Sequence, residues 1–194
     1  YSPIENRMIS QHSNVQYTID CNYHIPGVGI VVSGVLVEGT IKKNDILALG
    51  PFHNYFIMVI VRSIHNNFRE PIDELHTGLS GCLNIKPVAN KTHLKRHMIR
   101  RGIKLLSEPR LFWKFKAKVK ILHHQTTIGI GYQPFLHCGN ISQTCRIENI
   151  KGKEYLRIGD EAEVLFKFMY RPGYIKEGER LVFRDGMTKG VGTV

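Results

Sequence analysis

The amino-acid sequence predicts an all-β protein, built as two small antiparallel β-barrels in tandem. Three observations predict it. Apolar and polar side chains alternate with period two over successive short segments. Glycines and Asn-Asp turn signals interrupt those segments at short intervals. The pattern also runs twice, in two series that meet near Glu108-Pro109. Closing a small sheet on itself removes its unpaired edges, so two short series of strands predict two closed barrels.

Residues 1–14 read as a linker or a pairing extension. The chain begins without Met, as a trimmed fragment would, and YSPIENRM lacks the apolar core of a signal peptide. Residues 15–108 form the first expected barrel. Val15, Tyr17, Ile19, Cys21 and Tyr23 alternate with Gln16, Thr18, Asp20 and Asn22, the pattern of a half-buried strand. Short Val/Ile runs follow, broken by Gly27, Gly29, Gly34, Gly39 and the Asn44-Asp45 turn. Residues 56–64 and 78–87 give two more strands, the second ended by Pro87. The only helical signal is short, residues 92–98, with Leu94 and Met98 on one face.

Residues 109–194 form the second expected barrel. Lys114, Lys116, Lys118 and Lys120 alternate with Phe115, Ala117, Val119 and Ile121, giving one ammonium face and one apolar face. Residues 163–170 are apolar on both faces apart from Lys167, as in a strand inside a sheet. Residues 181–194, LVFRDGMTKGVGTV, read as a strand, a turn at Arg184-Asp185-Gly186 and a second strand. Gly186 supplies a positive φ, and Gly190 and Gly192 let another backbone come close.

Twenty-seven basic against 16 acidic residues give a formal net charge of +11. That balance favours a polyanionic partner such as RNA, DNA or a membrane surface. Cys21, Cys82, Cys138 and Cys145 form no CxxC pair and no disulfide framework, so reduced thiols in the cytoplasm are expected. No apolar run approaches the ~20 residues of a membrane-spanning helix, and no membrane insertion is expected.

Nucleotide chemistry is not encoded in this stretch. A phosphate-binding loop needs GxxxxGK[ST]; Gly34 to Gly39 has the spacing, but Thr40-Ile41 follows. Asn90-Lys91-Thr92-His93 begins like a guanine-reading NKxD motif with His in place of the Asp that would accept from the base. No catalytic residue is expected, and the fragment alone should neither bind nor hydrolyse GTP. His123, His124, His137, Cys138 and Cys145 could supply metal ligands or a Cys-His hydrolase, but without paired knuckle spacing or a nucleophile elbow. Buried cysteine and hydrogen-bonded core histidine is the stronger reading.

Two basic runs suit RNA phosphates. Lys91, Lys95, Arg96, Arg100, Arg101 and Lys104 form the first, and Arg110, Lys114, Lys116, Lys118 and Lys120 the second. For the lysine row, phosphate binding and a solvated strand face are even alternatives. His93 and His97 could stack on bases; Trp113 is expected in the core, because large aromatics fill barrels.

HHQTTI (residues 123–128), GYQPFLHCGN (131–140), LRIGD (156–160), YRPGYIKEGERL (170–181) and TKGVGTV (188–194) recur in order. Together they resemble the last barrel of translational GTPases of the elongation factor Tu and elongation factor 1-alpha class. Their wording is closer to the eukaryotic GTP-binding protein 1 and 2 family. IPGVGIVVSG followed by GTIKKNDIL resembles the opening of domain two. The resemblance covers about residues 15–194 and implies domain two-like and domain three-like barrels. It also implies an absent GTPase domain, holding GTP and Mg, against which the barrels dock. By the same resemblance Arg171, Thr144 and Gly186 match positions that touch the tRNA T stem, and His65 and Arg69 lie in the segment that holds the aminoacylated end. His65 replaces an acid and Gln133 an Arg. These departures fit a relative that handles RNA differently, with ribosome-associated or mRNA-decay partners. A protein-interaction module with basic surfaces is the alternative function, and a His/Cys metal-dependent enzyme a remote one.

Overall fold

The computed structural model describes residues 14–89 and 94–194. The stretch expected to be a linker, up to residue 13, and the Asn90-Lys91-Thr92-His93 motif lie outside the described residues. The chain divides into two compact units, one ending at Pro109 and the other running Arg110–Val194. Each is a closed six-stranded antiparallel barrel, the all-β class that the alternation predicts.

The first unit contains β1 (Gln16–Ile25), β2 (Gly29–Glu38), β3 (Thr40–Lys42), β4 (Ile46–Phe52), β5 (Tyr55–His65), β6 (Pro71–Ile72), β7 (Glu74–His76), β8 (Ser80–Pro87) and β9 (Lys104–Leu106). The ring runs β4-β9-β1-β2-β8-β5 and closes through β4 and β5; β6 extends β5, and β3 pairs with β7. Tyr17, Ile19, Val32, Leu36, Val59, Val61 and Leu83 fill it without exposure. The Tyr17 hydroxyl donates to the Gly81 carbonyl at 2.8 Å, which satisfies a buried polar group.

The alternation predicted for the first strand holds only halfway. Val15, Tyr17 and Ile19 are buried, but Cys21 and Tyr23 are exposed. The register of β1 on β2 shifts between Ile19 and Cys21. Just there Gly34 passes so near Thr18 that a Cβ would lie 2.9 Å from its carbonyl carbon. The irregularity bends the strand, and its distal half leaves the core. The helical signal reduces to one 3-10 turn, Arg96–Met98, with Leu94 and Met98 packed on the barrel.

The second unit contains β10 (Lys114–His123), β11 (Ile128–Gly129), β12 (Phe135–Cys138), β13 (Ile141–Ile150), β14 (Tyr155–Leu156), β15 (Glu161–Phe168), β16 (Arg180–Asp185) and β17 (Thr188–Thr193). The ring is β10-β15-β13-β12-β16-β17, and β11 pairs with β14. Phe115, Phe166, Phe168 and Phe183 stack through its interior with centroids 5.1–6.0 Å apart. Burying each side chain contributes about 2 kcal/mol.

Three expectations are corrected here. Trp113 is 49% exposed rather than core: it precedes β10, and the four phenylalanines already fill the interior. Gly190 faces a side chain rather than a backbone; the Phe183 ring lies over it, and a Cβ would come within 2.6 Å of Cε2. Gly192 does meet backbone, its Cβ position lying 2.5 Å from the Lys118 carbonyl oxygen. The last turn sits one residue later than the sequence suggests. Asp185 still pairs with Thr188, so the loop is Gly186-Met187, with φ of 55° at Gly186. A positive φ at the first loop position alone is what a type II′ hairpin turn requires.

Candidate nucleic-acid interface

The lysine row projects outward from β10, while Phe115, Ala117, Val119 and Ile121 face in. Antiparallel pairing sets Lys118 opposite Glu163 and Lys120 opposite Glu161. Lys114 Nζ meets Glu148 at 2.6 Å and Lys120 Nζ meets Glu161 at 3.1 Å. Lys116 lies 3.7 Å from Glu163, Lys118 3.9 Å from Glu161 and Lys151 3.7 Å from Glu163. Hydrogen bonds from Lys114 and Lys120 hold Glu148 and Glu161 below the usual carboxylate range. Five ammonium groups therefore share three carboxylates, in a ladder across three strands. The three carboxylates offset part of the attraction of this flank for a polyanion and leave two charges in excess.

The other flank is different. Thr144 on β13, Phe135 on β12, Arg184 on β16 and Lys189 on β17 are successive cross-strand partners and form one row. Alternation turns all four away from the core, and Phe135 is 43% exposed. Its ring meets His137 edge-on at 5.1 Å, and His137 Nδ1 lies 3.1 Å from Ser142 Oγ on β13. Arg146 is exposed one pleat beyond Thr144. These four strands carry two carboxylates. Glu148 is held by Lys114. Asp185 follows Arg184 and so points to the other side of β16, where its charge, secondary to burial, helps raise the Tyr132 phenol. Among the described residues Arg146, Arg184 and Lys189 lie in no ion pair.

Arg171 is fixed at the margin of this flank. The chain leaves β15 beside β13, with Met169 N–H donating to the Thr144 carbonyl at 3.2 Å. The buried Gln143 side chain then grips the Arg171 backbone twice. Its Nε2 donates to the Arg171 carbonyl at 2.9 Å, and the Arg171 N–H donates to Oε1 at 3.2 Å. The guanidinium is exposed, and no ion pair with Glu177 or Glu179 holds it among the described residues. Gly186, at the exposed hairpin tip, lies two residues beyond Arg184. Thr144 and Arg184 are two strand spacings apart, about 10 Å.

The candidates on the first unit are scattered. His65 is half-buried between Cys82 and Pro71 on neighbouring strands. Arg69 is exposed at φ of 64°, in a loop that Asn66 staples by accepting from Phe68 N–H and Glu70 N–H at 2.9 and 3.0 Å. Lys95 precedes the 3-10 turn and Arg96 opens it, and Arg96 Nε donates to Asn22 Oδ1 at 3.2 Å. Lys104 is buried in β9, which removes it from the basic run, and Lys91 lies outside the described residues.

The His/Cys group does not converge. Cys138 and Cys145 are buried, and burial pushes the Cys145 thiol up to about 12. His137 is exposed on the opposite face of β12, which corrects its expected core position. Both ring nitrogens of His124 are engaged, Nδ1 with Thr188 Oγ1 at 2.7 Å and Nε2 with the Thr127 carbonyl at 3.2 Å. Among the described residues no three His, Cys, Asp or Glu side chains gather as metal ligands would. No described helix is long and apolar enough to cross a membrane.

Over 162 residues the chain is 29% identical to elongation factor 1-alpha of Sulfolobus acidocaldarius, covering 84% of this chain and 34% of that protein. The two barrels are thus similar to the C-terminal portion of elongation-factor-like GTP-binding proteins. The chain is 42% identical over 183 residues to GTP-binding protein 1 of Xenopus laevis, covering 92% of this chain and 27% of that protein. It is 35% identical over the same length to GTP-binding protein 2 of Homo sapiens, covering 92% of this chain and 29% of that protein. It thus spans less than a third of the length of either GTP-binding protein. No protein-family model matches the chain.

Arg146, Phe135, Arg184 and Lys189 are not singled out by the sequence. They come from four strands, and only register brings them together. The one available signal was the alternation in LVFRD and TKGVG, which turns Arg184 and Lys189 outward.

Proposed function

We propose that this chain is the non-catalytic, RNA-binding portion of a translational-type GTP-binding protein. One observation carries the reading: an outward flank with Arg146, Arg184 and Lys189 unpaired, bordered by an Arg171 whose backbone Gln143 pins in place. A planar guanidinium on a fixed backbone suits phosphate recognition. The partner is RNA, with Thr144 and Gly186 as positioning contacts, in a ribosome-associated or mRNA-decay setting in the cytoplasm. The barrels also dock the parent's own GTPase domain, which holds GTP and Mg. Ile46, Met58 and Val88, each about half exposed on the first unit, offer apolar surface for that contact.

The test is equilibrium binding of the chain to tRNA, duplex RNA and single-stranded RNA across a salt series. Four phosphate contacts predict that affinity falls about 50- to 150-fold between 50 and 200 mM salt. Arg171→Ala weakens binding and makes the salt slope shallower by about one unit. Lys116→Ala with Lys118→Ala leaves affinity within about two-fold, because Glu161 and Glu163 already occupy those ammonium groups. Absence of RNA binding at 50 mM salt would refute the reading. Loss in the lysine double variant, with Arg171→Ala unaffected, would move the site to β10.

A further inference from the structure

We propose that the β12–β13–β16–β17 flank is a stacking platform for unpaired nucleotides, with Phe135 as the side chain on which a base lies. The inference rests on the RNA-binding reading and narrows it to single-stranded segments. A phosphate-reading face needs cations and hydroxyls, and it has no use for an aromatic ring. Here a phenylalanine stands in the middle of the cationic row, directly opposite Arg184 on one side and Thr144 on the other.

The ring is 43% exposed, although the same barrel buries Phe115, Phe166, Phe168 and Phe183. Burying an aromatic is worth about 2 kcal/mol, so leaving one out forgoes stabilisation that the fold obtains elsewhere. The ring is also oriented. β12 is flanked by β13 and β16 along its length. His137, two residues on, meets the ring edge-on at 5.1 Å and an interplanar angle of 62°, which leaves a ring face unoccupied by it. Lys189 continues the row beyond Arg184, Arg146 lies one pleat past Thr144, and Tyr170, 75% exposed, stands beside Arg171 at the margin.

An aromatic on a sheet with cations one strand away on the same face is the arrangement that takes a splayed base on its π-face and the adjoining phosphates on its rim. A-form duplex cannot use it, because its bases are stacked on each other. The one outward carboxylate of these strands, Glu148, is engaged by Lys114, and the row from Thr144 to Lys189 carries no acid of its own, which keeps the backbone attracted along it. Stacking on a ring face is tolerant of base identity, so selection is for unpaired over paired RNA.

The experiment compares the whole chain with Phe135→Ala, Phe135→Tyr and Arg184→Gln. Probes are a 12-nucleotide oligouridylate, a mixed-sequence single strand of that length and a blunt 12-base-pair RNA duplex. The single strands bind more tightly than the duplex. Phe135→Ala weakens them about 5- to 150-fold, the range for one lost base stack. It leaves the salt slope and the duplex affinity unchanged. Phe135→Tyr retains binding, while Arg184→Gln makes the slope shallower by about 0.7. A duplex bound as tightly as the single strands, or single-strand affinity indifferent to Phe135→Ala, would overturn the platform and leave RNA binding standing. If none of the probes binds at 50 mM salt, both readings fail together. Far-ultraviolet circular dichroism and the duplex affinity show whether Phe135→Ala has kept its fold.

Discussion

Gly190→Ala adds a single methyl group, yet it should strongly destabilise the second barrel. The new carbon would lie 2.6 Å from Phe183 Cε2 and closer still to Cζ and Cε1. Carbon atoms settle at about 3.5–4.0 Å, so ring or strand must move by about 1.5 Å to clear the nearest ring atom. Phe183 is fully buried, with the Phe166 ring 6.0 Å away, and has no open side. Overpacking of this kind costs about 1–3 kcal/mol, and this contact belongs at the upper end. With a urea m-value of about 1.2 kcal/mol/M for a unit of this size, a loss of 2.5 kcal/mol lowers the midpoint by about 2 M. Trp113, the only tryptophan, belongs to this unit, so its fluorescence follows the transition. Gly129→Ala is the control: the nearest atom to its Cβ position is the Glu154 carbonyl oxygen at 3.8 Å, and its midpoint should barely move. In a Phe183→Leu background the ring atoms are gone, and the Gly190→Ala cost should shrink to under about 1 kcal/mol. Equal cost in both backgrounds, or no cost in either, would refute the steric argument.

Two further outcomes test the surface and the interior. The folded-state pKa of Glu161 is depressed, chiefly by the Lys120 hydrogen bond, so its contribution is present above the ordinary value of 4.5 and is lost as pH falls through the folded value. Urea midpoints of the parent and Glu161→Gln should therefore differ at pH 7 and converge as pH falls through the depressed folded value; a gap that persists in acid would point to packing instead. Cys145, buried and with its thiol pushed up to about 12, should resist iodoacetamide at pH 8 until urea is added, while exposed Cys21 is alkylated in the native protein. Mass spectrometry reads both sites, and equal labelling rates without urea would contradict the buried placement.

Local pattern carried the architecture, since period two and turn glycines depend on neighbours in the sequence. The β10 alternation is realised residue by residue, and the Asn44 turn has the positive φ of 72° that the Asn-Asp pair suggests. What pattern could not carry was register. Glu148, Glu161 and Glu163 lie 34 or more residues from the β10 lysines they pair with, so the row read as free charge. The same gap hid the row of Thr144, Phe135, Arg184 and Lys189. Trp113 was misread because a large aromatic beside a strand is ordinarily core, and only the finished barrel shows its interior already filled. For Gly190, small size correctly signalled a close approach, but the identity of what approaches is a tertiary fact.

In the six-strand ring β10 and β15 stand opposite β12 and β16. The lysine ladder and the unpaired row are therefore centred on opposite sides of the ring, although both reach β13. Strands about 4.8 Å apart close to a ring on the order of 10 Å across before side chains are added. The Debye length at physiological ionic strength is about 8 Å. An approaching polyanion thus feels one flank at a time, and the barrel behaves as a body with a charge moment rather than a uniform positive sphere. Rotational capture precedes contact. Counted in bulk, the three ladder glutamates only reduce the net charge. Placed where they are, they give the second barrel a charge moment that would turn its open face towards a polyanion.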